Sequence, residues 1–183
     1  MVTRLKNQQS GCLDVLIPRG LLGNGLDALS FPLMADGLCS LRIVWSQGLV
    51  TSLQPIPHNC SPPSKLVLPR FIEPHVHIDK AFTWSNFPNL GGTYKGAYEA
   101  NINEHKTRSV KRVCARANQA LSLALNNGVR AIRSHIDCFG LDIQKNWDSL
   151  IEIQHQWSSF VGLQLVALAP LDYWLTDEGN YFA

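Results

Sequence analysis

The chain has 183 residues, 45% hydrophobic and 16% charged, which is enough apolar side chain for one or two small cores and too little charge for a disordered tail. Sixteen Lys and Arg against fourteen Asp and Glu leave a net charge of +2. These charges are scattered, so no basic patch or stripe for nucleic acid or an anionic membrane is expected. Cys12, Cys39, Cys60, Cys114 and Cys138 form an odd set without CxxC spacing, which predicts neither a disulfide framework nor a zinc ribbon and fits a reducing, cytoplasmic setting. The polar first twelve residues carry no apolar signal stretch, and no run reaches the roughly 20 apolar residues of a membrane span.

Residues 11–68 hold short apolar runs between Gly, Pro, Asn and Ser, which read as strands between turns. Trp45, Ser46, Gln47 and Gly48 are placed to turn a hairpin into Leu49 and Val50, and 55–63, with four prolines, reads as a loop. After Pro69 the pattern becomes strand and helix in alternation. Residues 71–77 form a short strand. Over 109–127 apolar residues recur at helical spacing from Val110 to Leu125, with Lys111, Arg112 and Arg116 opposite and Gly128 in the stop position. Residues 129–137 and 161–167 read as further strands. Between them Asp142 is expected to cap a helix with Ile143, Trp147, Leu150 and Ile151 on one face. The segment between His77 and Ser109 is too long for an ordinary connection and is expected to be a lid or substrate loop. Strands alternating with helices predict parallel βαβ units.

The chemistry concentrates in Glu73-Pro74-His75-Val76-His77-Ile78-Asp79-Lys80. In a strand, residues two apart share a face, so His75 and His77 can reach one metal ion. His135 and Asp137 repeat that spacing at the end of the next strand. They either line the same mouth or fix the loop by hydrogen bonding. Asp79 and Lys80 form an ion pair, a substrate contact or a solvated pair. His58, His105 and His155 are expected at the surface. Cys138 has no paired base in sequence, so a nucleophile is not expected, and the tryptophans are expected to pack.

Three stretches, LVLPRFIEPHVHIDKAF, NNGVRAIRSHID and LQLVALAP, together resemble the cytosine deaminase-like branch of the amidohydrolase superfamily. The resemblance runs from about Leu66 to Pro170. It implies an α/β fold: the first three strands of a partial (β/α)8 barrel in 69–183, preceded in 1–68 by the N-terminal part of a composite β-sandwich. It implies a hydrolase that uses a zinc or iron ion to activate water against a C–N bond of a small-molecule ring substrate, with His75 and His77 as two metal ligands. The other ligands and the catalytic residues of the family have no counterpart in these 183 residues, so no catalytic or substrate-binding residue is assigned. Weak or absent metal binding, a truncated chain and no turnover by the chain alone are expected. Where the family carries Phe-Pro-Gln after the third strand, this chain reads Ala169-Pro170-Leu171, which argues against cytosine itself. One alternative is a non-catalytic half-barrel that self-associates or pairs with a separate C-terminal half. Another is a small α/β domain without a site.

Overall fold

A computed structural model describes residues 10–23, 31–56, 60–139 and 142–182. Contacts divide the chain into two units, Met1–Pro69 and Arg70–Ala183.

In the first unit, strands β1 (Ser10–Pro18), β2 (Leu38–Ser46) and β3 (Leu49–Pro55) form an antiparallel sheet in that order. Alternation sets its buried side: Val15 and Ile17 of β1 meet Cys39 and Leu41 of β2, with Leu22 and Phe31 closing the cluster. The β2–β3 turn is narrower than the sequence suggested, because Trp45 and Ser46 stay in the strand. Gln47 and Gly48 alone make the turn, with φ of 53° and 77°, the pair of positive values that a two-residue hairpin of matching twist requires. The Lys65–Val67 segment joins β1 only through Leu16, whose amide donates to the Lys65 carbonyl and whose carbonyl accepts from the Val67 amide. Among the described residues this unit therefore contributes one three-stranded sheet. His58 lies outside the described residues.

In the second unit β4 (Phe71–Val76), β5 (Val129–Asp137) and β6 (Gly162–Leu168) form a parallel sheet in chain order. Helices α1 (Tyr94–His105) and α2 (Val110–Asn126) lie between β4 and β5, α3 (Ile143–Trp157) lies between β5 and β6, and α4 (Asp177–Phe182) follows. On β5, Ile132 and Ile136 face a core shared with Val113, Ala117 and Leu121 of α2 and Leu150, Ile153 and Trp157 of α3. Arg133, His135 and Asp137 project from the opposite face. The described residues thus make a three-stranded parallel α/β sheet, and they do not close a barrel.

Three expectations change. The long segment after His77 is not a loop throughout: it holds α1, which lacks an apolar stripe and so gave no helical period. Thr93 caps it by accepting from the Gly96 amide at 3.1 Å. Asp142 does stand at the start of α3, but with φ of 62° its side chain makes no cap and takes Lys145 at 2.8 Å instead. The buried face of α3 is Asn146, Leu150, Ile153 and Trp157, rotated from the expected stripe, so Ile143, Trp147 and Ile151 are only half-buried.

Candidate metal centre and adjoining cavity

The β4–β5 ladder slips between Glu73 and Val76: three steps on β4 oppose two on β5, from Ile132 to Ser134. That extra residue is a bulge at Pro74 and His75. Proline, which lacks an N–H, is tolerated there because β4 is an edge strand among the described residues. Beyond it the strand ends, and His77 leads into a short 3-10 turn, Ile78–Lys80. The Ser134 hydroxyl accepts from the Ile78 amide at 3.0 Å, which pins that turn to β5.

His75 and His77 come together as their spacing predicts, with ring centroids 5.4 Å apart. Two imidazoles bound at about 2.05 Å to one tetrahedral ion would place their centroids about 5.2 Å apart, so the pair has the separation such an ion needs. His77 Nδ1 lies 2.8 Å from the His135 carbonyl oxygen. A carbonyl only accepts, so this contact requires the Nδ1–H tautomer and leaves Nε2 with the lone pair, the arrangement found in metal-bound histidines. The His135 ring stacks on His75 at 4.2 Å and 25°. Near-parallel rings do not aim their nitrogens at a common point, so His135 seats the pair rather than adding a ligand. Burial, then the nearby His75 and His77, hold the His135 imidazole below its usual pKa. Among the described residues no group of three or more His, Cys, Asp or Glu side chains is arranged to hold a metal ion. The donor set therefore fits half of a metal site.

Asp137 does not join the histidines. Lys80 Nζ donates to its Oδ1 at 2.7 Å and Arg108 to its Oδ2 at 3.0 Å, and its side chain is 1% exposed. Asp79 is not a solvated partner of Lys80, because it is buried and accepts from Arg108 at 3.3 Å and from the Asp137 amide at 3.1 Å. The same guanidinium donates to Glu104 at 2.8 Å, and Arg116, expected on the wet face of α2, turns inward to the other oxygen of Glu104. One arginine thus ties the turn after β4, the end of β5 and α1. Burial, then repulsion from Asp137, raises the Asp79 pKa. Burial also works to raise Asp137 and Glu104, but is outweighed: Lys80 and Arg108 lower Asp137, and Arg108 and Arg116 lower Glu104.

Glu104 and Arg108 escaped sequence reasoning. The one available signal was their i,i+4 spacing on a polar segment, which ordinarily marks a solvated pair. His105 is half-buried rather than on the surface, stacked on Phe139 at 4.8 Å, whereas His155 is exposed as expected. Burial raises the Cys138 thiol, in keeping with a structural cysteine. His77, Lys80, Asn101 and Asp137 line an open cavity of about 1040 Å³ together with the rings of Trp84, Phe87 and Tyr98.

The chain is 28% identical over 150 residues to a pterin deaminase of Rhizobium rhizogenes strain K84, covering 78% of this chain and 34% of that protein. It is 22% identical over 120 residues to N-isopropylammelide isopropyl amidohydrolase of Pseudomonas sp. strain ADP, covering 63% of this chain and 30% of the relative. The structure of 5-methylcytosine deaminase from Klebsiella pneumoniae superposes with a TM-score of 0.54 at 18% identity, over 70% of this chain and 33% of that one. Over most of its length the chain is thus similar to proteins of the amidohydrolase superfamily. It spans about a third of the length of the curated relatives it matches. No family model matches the sequence. No helix among the described residues is long and apolar enough to cross a membrane.

Proposed function

We propose that this chain belongs to the amidohydrolase superfamily and carries the first-strand part of a hydrolytic site that cleaves a C–N bond of a small nitrogen-containing ring, with His75 and His77 as two ligands of a zinc or iron ion. The names of its relatives, two deaminases and an amidohydrolase, support the reaction class. The observation that carries the site is the 2.8 Å contact between His77 Nδ1 and the His135 carbonyl, which commits His77 Nε2 to act as a lone-pair donor beside His75. The ion would supply Lewis-acid activation of water near neutral pH. The chain's own residues do the rest. His135 holds the tautomer and the ring, and Asp137 and Lys80 supply polar groups to the adjoining cavity, where Trp84, Phe87 and Tyr98 offer flat faces to a planar substrate. Two imidazoles leave coordination open, so this pair is expected to hold the ion weakly.

Calorimetric zinc titration of the chelator-stripped chain tests the assignment. Weak one-to-one uptake is expected, and both His75→Ala and His77→Ala should abolish it. A wild-type chain that takes up no zinc, or variants that take it up undiminished, would overturn the proposal.

A further inference from the structure

Ser134 interrupts an otherwise apolar row. It is fully buried on the helix-facing side of β5, between the buried Ile132 and Ile136. A hydroxyl at such a place is costly unless it is bonded, and this one is bonded twice. Ser134 Oγ accepts from the Ile78 amide at 3.0 Å and donates to the Val76 carbonyl at 3.3 Å, which uses its one donor and one of its two acceptor positions. Val76 is the last residue of β4 and pairs with Ser134 itself. Past that pair the serine side chain replaces the ladder as the link between β4 and β5.

The two groups that Ser134 holds stand on either side of His77. The Val76 carbonyl belongs to the planar peptide before the His77 Cα and the Ile78 amide to the one after it. Holding both planes fixes His77 at φ −129° and ψ 85°, and with them the direction in which its side chain leaves the backbone. The next residue of β5 then takes the ring, since the His135 carbonyl lies 2.8 Å from His77 Nδ1. We infer that Ser134 is a positioning residue for the His75 and His77 pair: its hydroxyl sets the backbone of His77 so that Nδ1–H meets the His135 carbonyl and Nε2 is left as the lone-pair donor beside His75. Ser134 acts through backbone groups and supplies no ligand. This inference rests on the proposed function in taking the two histidines as a metal pair, and it adds the residue that aims one of them.

The test reads the full chain without metal first. Proton–nitrogen correlation spectra of the histidine-labelled, chelator-stripped chain near pH 8, where an ordinary imidazole is neutral, distinguish one fixed tautomer from a mixture, and His77→Ala assigns the signal. His77 should show the Nδ1–H form alone in the wild type and a mixture in Ser134→Ala. Ser134→Cys should show the mixture too, because its thiol fills the place but bonds weakly, and it serves where Ser134→Ala does not fold. Ser134→Thr, which keeps the hydroxyl, should restore the single form. Leu150→Ala opens the same core from α3 and should leave the tautomer fixed, which separates aiming from general loosening. In the zinc titration Ser134→Ala should weaken uptake about tenfold or more at unchanged stoichiometry, as is typical when a group that orients a ligand is lost. A mixture in the wild type, a fixed tautomer in both Ser134→Ala and Ser134→Cys, mixing in Leu150→Ala as large as in Ser134→Ala, or undiminished zinc affinity in Ser134→Ala would overturn the inference. A wild type that takes up no zinc while its tautomer depends on Ser134 would sink the metal assignment and leave this role standing.

Discussion

Replacing Arg108 with methionine should be among the most damaging single changes to the second unit. The Arg108 side chain is 4% exposed and faces three carboxylates, Asp79, Glu104 and Asp137, whose side chains are 1–2% exposed. Methionine fills much of the volume but removes the charge. Glu104 would keep Arg116 and Asp137 would keep Lys80. Asp79 would retain only the Asp137 amide, with its other oxygen already buried and unbonded. Breaking a buried pair from one side costs about 3–5 kcal/mol, a large share of the roughly 5–15 kcal/mol that holds a domain together. The raised pKa of Asp79 places the loss toward the lower figure, since that carboxyl escapes part of the penalty by taking up a proton. Adding Asp79→Asn should recover part of the loss and give a favourable coupling in a double-mutant cycle. Arg108→Lys should rescue only partly, because a point charge cannot span three carboxylates as a planar fork does. Urea unfolding followed by circular dichroism measures each value. A loss below about 1 kcal/mol for Arg108→Met would mean the cluster behaves as surface pairs do, and the reasoning would fail.

Glu104 gives a pH test of the same cluster. Its folded pKa is lowered, so its contribution is fully present above the unfolded value near 4.5 and is lost as pH falls through the folded value. The wild type should therefore lose stability steeply below about pH 4.5, and Glu104→Gln should flatten that slope, whereas equal slopes in acid titrations of urea midpoints would contradict the assignment. Leu121→Ala, at a fully buried position of α2, should cost about 2–5 kcal/mol and lower the melting temperature without altering a zinc isotherm recorded where the variant is still folded. His77→Ala should do the reverse, abolishing zinc uptake while moving the thermal midpoint little, because the ring is only half-buried.

The parallel β-α-β half of the fold was legible wherever burial was periodic. Strand β5 falls at 129–137 and α2 at 110–126, within a residue of what hydrophobic spacing predicts, because both bury one face against a continuous core. Helix α1 carried no such period. It is held by a cap and by Glu104, whose partners Arg108 and Arg116 lie on the following turn and on α2, so an apolar pattern could not reveal it. The tilt of α3 also depended on its neighbours, since Asn146 rather than Ile143 faces inward.

Local spacing made legible that His75 and His77 come close together, that a parallel α/β unit follows Pro69, and that the motif resembles an amidohydrolase's. These are local facts, fixed by strand alternation and helical spacing within a few residues. Packing in three dimensions settled which partners those residues take. His77 leans on a carbonyl 58 positions away, and Lys80 answers to Asp137 rather than to adjacent Asp79. Arg108 gathers Asp79 and Asp137, each 29 positions distant, into one buried cluster. Charges pair by distance in space and by exclusion from water, and neither quantity is written in the spacing of a chain until the strands and helices have packed.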